Sequence, residues 1–141
     1  MLALYGCDGF AREVVPFVRQ VAPALDIVFV DDNSNLWGST VHGSPVISFD
    51  ELHSSAHRER KISVCIADPN VRAKVVEKCD KEGLKFFSAA APSHIRGENV
   101  TLAEGAVLCP NTFSHHWQGI RCAGYQPARS CNHAQIPGRE R

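Results

Sequence analysis

Apolar residues along this chain fall into short solid blocks and into helical stripes, and the two patterns alternate. Leu2 to Tyr5 form a block that breaks at Gly6, reaches a second glycine at Gly9 and passes into a stretch where Ala11, Val14, Val15, Val18, Val21 and Ala22 share one face. That spacing predicts a strand, a tight glycine turn and an amphipathic helix packed on a sheet. Pro16 lies inside the stripe, and its missing N–H and its ring predict a kink. A second strand is expected from Ile27 to Val30, closed by Asp31 and Asp32, followed by a loop rich in Asn, Ser, Gly and Pro over residues 33–45. After the short apolar piece Pro45 to Ile47, Ser48 and Glu51 have capping-box spacing and open a short helix through about Ala56. Residues 61–67 read as a third strand. Asp68-Pro69 then supplies an N-cap and a first-turn proline for a helix with Val71, Val75, Val76 and Cys79 as its buried stripe. Gly83 stops that helix, and residues 84–90 read as a last strand. Strands alternating with helices predict an α/β fold: a mostly parallel, doubly wound sheet with helices on both faces.

From Ala91 the pattern changes. Single aliphatics are separated by small and polar residues, Leu102 and Leu108 stand six apart, and Gly105 and Pro110 take corner-like places, as in parallel β-helix coils built from hexapeptides. Continued, the repeat would place aliphatics at 114, 120, 126 and 132, where the chain has Ser114, Ile120, Gln126 and Asn132, so the period is lost after Thr112. Residues 113–141 follow neither the strand nor the helix period. Trp117 and Tyr125 have no packing pattern around them, and the basic residues of this tail are arginines only.

The chain has 141 residues, 44% of them hydrophobic and 21% charged, which suits one globular domain, alone or with an appendage. Equal numbers of basic and acidic residues, 15 of each, give no basic field for nucleic acid. No apolar run approaches a membrane span and no basic leader precedes Leu2, so a cytoplasmic location is expected. The six cysteines form no C-x-x-C pair, and Cys65 and Cys79 fall on apolar positions where reduced Cys acts as a small hydrophobe. His115, His116, Cys122, Cys131 and His133 lack the paired spacing of a structural zinc site, and no metal is expected.

The candidate chemistry lies at the ends of the strands. A glycine turn before a helix lets backbone N–H groups approach an anion, with the helix dipole behind them, although Gly6-Cys7-Asp8-Gly9 lacks both the G-x-G spacing and the P-loop lysine. The same glycines also serve a plain sharp turn. Arg12 could reach a phosphate from the helix. Asp31 and Asp32 end the second strand where open α/β sheets bind ligands, and Asp68, Asn70 and Arg72 follow the third strand into the same crevice, Asp68 as a helix cap first.

Taken in order, Gly6, Gly9, Phe10, Ala11, Arg12 and Glu13, then Val30-Asp31-Asp32, Gly43-Ser44-Pro45-Val46-Ile47, Ala67-Asp68-Pro69-Asn70 with Arg72, Pro92-Ser93 and Leu102-Ala103-Glu104-Gly105 resemble the bacterial sugar acyltransferases of the sialic acid O-acetyltransferase family. This family includes UDP-amino-sugar N-acetyltransferases, and the likeness runs from about Leu2 to Thr112. It implies a Rossmann-like sugar-nucleotide-binding domain over 1–90, the start of a left-handed β-helix over 91–112 and an irregular tail over 113–141. It further implies that Gly6, Cys7, Asp8, Gly9 and Phe10 lie against the phosphates or sugar of a UDP-sugar or related sugar nucleotide, and that Asp31 or Asp32 faces the nucleoside. Family members form trimers that bind acetyl-CoA between neighbouring β-helices, and a histidine of a later coil deprotonates the attacking sugar amine or hydroxyl. The chain departs from the family at Cys7-Asp8 and at Phe10, where histidine is frequent, and no later coil carries a matching histidine, so no catalytic residue is assigned.

The resemblance thus implies the sugar-nucleotide-binding part of an acetyl-CoA-dependent sugar O- or N-acetyltransferase of surface glycan biosynthesis, inactive in transfer as this chain and without the family trimer. The abrupt loss of period suggests an altered reading frame near Thr112. Two other classes stay open. One is a nicotinamide-dinucleotide or CoA-binding regulatory module, with Asp31 about twenty residues past the turn as its ribose ligand. The other is an interaction protein without catalysis.

Overall fold

The computed structural model describes residues 1–54, 60–98, 100 and 102–114. Six strands form the main sheet: β1 (Leu2–Tyr5), β2 (Ile27–Val30), β3 (Thr40–Val41), β4 (Ser44–Ile47), β5 (Lys61–Val64) and β6 (Lys85–Phe86), in the order β3-β4-β2-β1-β5-β6. All pairings are parallel except β3 with β4. β1 is central because it is apolar on both sides. Leu2 and Leu4 pack with the helix α1 (Gly9–Val21), whereas Ala3 and Tyr5 pack with α2 (Phe49–Ser54) and α3 (Pro69–Lys81). Helices therefore cover both faces, as the alternation predicts. Leu4 is fully buried, and truncating it to alanine would cost about 2–5 kcal/mol.

Several local expectations are corrected. α1 runs unbroken through Pro16, which lies on the exposed side, where water can take the Arg12 carbonyl that proline leaves without a donor. Val21 is exposed, and Phe17 joins the buried face in its place. On α3 the buried stripe is Arg72, Val75, Val76 and Cys79, whereas Val71 is 47% exposed. The loop at 33–45 contains structure of its own: a 3-10 turn at Ser34–Leu36 and the β3–β4 hairpin, closed by His42 and Gly43 at φ 49° and 74°. Positive φ at both central residues is the turn that matches strand twist. Ser48 caps α2 by accepting the Glu51 N–H at 3.0 Å, and Ala56, expected near that helix's end, lies outside the described residues.

The stretch 84–90 divides between two sheets. The Phe87 N–H still reaches the Ile62 carbonyl at 2.8 Å, but the Ala89 N–H donates to the Ala106 carbonyl at 2.8 Å. Ala89–Ala90 thus form β7, which pairs in parallel with β9 (Val107–Leu108), while β8 (Ile95–Arg96) pairs with β10 (Phe113–Ser114). Partners such as His94 and Thr112 stand 18 residues apart, three hexapeptides, so one coil is complete and the next has begun. Pairing extends two residues beyond Thr112. Ser114, where an aliphatic was expected, is buried, and its hydroxyl meets His94 Nε2 at 3.0 Å.

Candidate functional site

Because β1 lies between β2 and β5, the three segments singled out in sequence line up along the carboxyl edge of the sheet. Gly6 leaves β1 at φ 103°, and its N–H donates to the Val30 carbonyl at 2.8 Å. A Cβ here would sit 3.0 Å from the Cys65 carbonyl oxygen and 3.2 Å from Ile66 Cγ1. Gly6 is therefore required by conformation and by packing. Gly9, the first residue of α1, has no atom within 4 Å of where its Cβ would be. Asp8 precedes the helix in extended conformation but its side chain makes no capping hydrogen bond. The leading N–H groups of α1 have no intrahelical carbonyl, so they face outward beside the open space at Gly9.

The carboxylates divide their work. Asp31 Oδ2 accepts the Cys7 N–H at 3.1 Å and Oδ1 accepts the Asn33 N–H at 2.9 Å, which ties the glycine turn to the end of β2. Asp32 Oδ1 accepts the Tyr5 hydroxyl at 2.7 Å and the Lys78 ammonium at 3.2 Å, and Lys78 also donates to the Tyr5 oxygen at 2.9 Å. Lys78 stands 4.1 Å from the Phe49 ring centroid as well. Burial, then the bond to Asp32, raise the Tyr5 phenol far above its usual range, so it stays a neutral donor. Asp32 remains exposed, with its side chain 65% open to solvent at the end of β2.

On the β5 side, Asp68 Oδ1 accepts the N–H groups of Asn70 at 2.8 Å and Val71 at 2.9 Å, so the predicted cap is present. Arg72 turns inward. Its guanidinium donates to the carbonyls of Ile66 at 2.6 Å and Ala67 at 3.0 Å, fastening the turn that abuts Gly6. Cys7 packs its side chain into the core, leaving its backbone at the turn, and burial followed by the Asp31 charge pushes its thiol up to about 12. Phe10 is half-buried against the same core, while Arg12 and Asn70 lie exposed.

Gly6, Cys7, Asp8, Gly9, Phe10, Asp31, Asp32, Asp68 and Asn70 thus share one edge, with Arg12 on the first helix behind it. Sequence reading placed Tyr5 only in the first strand and missed Lys78, and it missed Trp37, whose indole N–H donates to the Asp31 carbonyl at 2.8 Å. Among the described residues no group of His, Cys, Asp and Glu could hold a metal ion, and no helix is long and apolar enough to cross a membrane. His115, His116, Cys122, Cys131 and His133 lie outside the described residues. An open cleft at the opposite, amino end of β2 and β4, lined by Arg19, Asp26 and Ser44, carries none of this chemistry.

The model of the PglD N-terminal domain matches residues 1–79. WeeI from Acinetobacter baumannii AYE is 33% identical with a TM-score of 0.75, over 80% of this chain and 54% of that one. The acetyltransferase domain of PglB from Neisseria gonorrhoeae FA1090 is 24% identical with a TM-score of 0.69, over 79% and 54%. PerB from Caulobacter crescentus, in complex with CoA and GDP-perosamine, is 23% identical with a TM-score of 0.68, over 81% and 53%. The last two share the fold; a comparison with curated proteins finds no match. The chain spans about half the length of the proteins it resembles. A family match over more than half the chain, on a carboxyl edge built as described, means that the chain belongs to the PglD N-terminal domain family.

Proposed function

We propose that this chain is the sugar-nucleotide-binding part of an acetyl-CoA-dependent sugar O- or N-acetyltransferase of surface glycan biosynthesis. The observation that carries this reading is the turn Gly6–Phe10: an uncapped helix N-terminus beside the empty space at Gly9, between Asp32 on one strand and Asp68 on the next. The diphosphate of a UDP-sugar or related sugar nucleotide meets the leading N–H groups of α1, with Arg12 adding charge. Asp32 offers its free oxygen to the nucleoside, Asp31 positions the turn, and Asn70 borders the crevice on the β5 side. PerB, whose fold is shared, binds GDP-perosamine and CoA, which supports a ligand of this class. The dinucleotide alternative is weakened because the turn lacks the G-x-G spacing and because the Asp31 carboxylate is engaged by the Cys7 and Asn33 N–H groups, which makes it a tie for the turn.

In the proposed division, residues 1–90 bind the nucleotide and 91–112 open the β-helix, with Ala89 and Ala90 serving both. Acetyl transfer is not carried by this chain alone. The described residues hold one full coil and the start of another, whereas an acetyl-CoA site between trimeric β-helices needs further coils, and the hexapeptide period of the sequence is lost after Thr112. Calorimetric titration with UDP- and GDP-sugars, alongside an acetyl-CoA turnover assay, tests both halves. Saturable binding without turnover is expected; absence of binding refutes the first half, and turnover refutes the second.

A further inference from the structure

Trp37 is an apolar side chain held in the open. It is 46% exposed, yet the backbone around it is fastened at every step. Asn33 Oδ1 accepts the Asn35 N–H at 3.1 Å, the Trp37 N–H reaches the Ser34 carbonyl at 3.3 Å, and the Gly38 N–H reaches Val46 at 2.9 Å. Leu36, next to it, packs into the core and anchors the segment. The indole N–H donates in the ring plane to the Asp31 carbonyl at 2.8 Å, which satisfies the ring's one polar atom and fixes its orientation while leaving ring surface to solvent. Core packing does not explain this arrangement, because the ring is not in the core. A rigid, half-exposed aromatic surface is what a flat ligand group needs.

Its position says which group. The Asp31 carbonyl that holds the indole belongs to the residue whose carboxylate holds the Cys7 N–H of the glycine turn. β2 lies between β1 and β4, strand neighbours stand about 5 Å apart, and Trp37 bonds to the Asp31 carbonyl while Gly38 beside it bonds to Val46 of β4, so along the carboxyl edge the order is helix N-terminus, then Asp31 and Asp32, then Trp37. A nucleotide with its diphosphate on α1 and its ribose beside Asp32 brings its base to the indole. We infer that Trp37 is the stacking platform for the nucleobase of the bound sugar nucleotide, an inference that rests on the sugar-nucleotide reading of this edge. Stacking reads the π-face that every base has, so Trp37 separates nucleotides from base-free phosphates more strongly than one base from another.

The test uses the full chain with UDP and inorganic pyrophosphate as probes. W37A weakens UDP binding by about 5- to 100-fold, W37F by less than about 5-fold, and neither changes pyrophosphate binding. In a W117F background, where Trp37 is the sole tryptophan, UDP quenches the emission and pyrophosphate does not. Equal UDP affinity in W37A and the parent chain overturns the inference. So does a loss in W37F as large as in W37A, because then the indole N–H bond and not the ring face matters. If the parent chain binds pyrophosphate but no nucleotide, the base platform is wrong while the anion site stands. If it binds neither, the sugar-nucleotide reading falls with it.

Discussion

Replacing Gly6 by alanine perturbs the one backbone position where conformation and packing agree on glycine. At φ 103° an L-residue is strained, for which about 1–2 kcal/mol is a fair figure. The new Cβ would also stand 3.0 Å from the Cys65 carbonyl oxygen, a strand-end backbone atom that Arg72 helps to immobilise through the adjoining carbonyls, and overpacking of that kind adds about 1–3 kcal/mol. G6A should therefore cost about 2–5 kcal/mol. Out of a typical total of about 5–15 kcal/mol, that leaves a folded but visibly weakened protein. The control is G9A, where the Cβ meets nothing within 4 Å and the residue is already helical. It should be neutral or stabilising by up to about 1 kcal/mol. Urea unfolding followed by circular dichroism gives both values from the midpoints at constant slope. Sugar-nucleotide titration then separates the roles: G9A folds normally but crowds the space left for the phosphates and loses affinity. A G6A midpoint within about 0.5 kcal/mol of the parent would refute the reasoning, since it would mean the β1 and β5 ends can part freely.

Asp31→Asn turns one acceptor into a donor facing either the Cys7 or the Asn33 N–H, and should cost about 1–3 kcal/mol in urea unfolding, with nucleotide affinity falling alongside. Arg72→Met strips the donor from the Ile66 and Ala67 carbonyls and should lose about 1–3 kcal/mol, with Arg72→Lys recovering part; equal stability of the Met variant and the parent would count against the clamp. His94 joins the two coils, and because Thr112 Oγ donates to the Cys109 carbonyl at 2.6 Å it accepts from Nδ1, leaving Nε2 to accept from Ser114. Burial holds this imidazole below its ordinary 6.5, so the unfolded chain takes up the proton first. Its contribution is present above pH 6.5 and is lost as pH falls from there through the folded value. Thermal unfolding between pH 7.5 and 5 should show that decline in the parent and a flatter profile in His94→Gln.

The layout of the fold was legible because its signals were local. The first two apolar blocks, the Asp68-Pro69 cap and Gly83 each act within a few residues and appear where expected, whereas the strand read over 61–67 ends at Val64. Misplaced features depend on what lies across space. Val71 and Arg72 exchange roles because the carbonyls of Ile66 and Ala67 turn toward the helix, which no periodicity of α3 encodes. Ser114 broke the aliphatic repeat, yet it is accommodated because His94, one coil earlier, supplies a partner. At the site, the sequence located the strand ends but not the division of work there. Asp31 and Asp32 are neighbours with the same side chain, and only the Cys7 N–H on one and the Tyr5 and Lys78 groups on the other make one a tie and the other a surface acceptor. The His42-Gly43 turn did carry a local signal, positive-φ residues between two short β-prone pieces, but the surrounding loop composition masked it.

The chain passes from the main sheet into the first coil between Phe87 and Ala89, without a linker. Ala89, Ala91 and Val107 of the coil lie in the same apolar cluster as Cys7, Ala11 and Val14 of the glycine turn and α1. The two architectures consequently share a hydrophobic interior and should melt as one cooperative unit, with amide exchange protection rising and falling together on both sides of Ser88. The angle between sheet and coil axis is set by that packing rather than by a hinge. Any ligand that stiffens the turn at Gly6 will be felt in the coil as added order, and a cavity cut at Val107 will be felt at the turn.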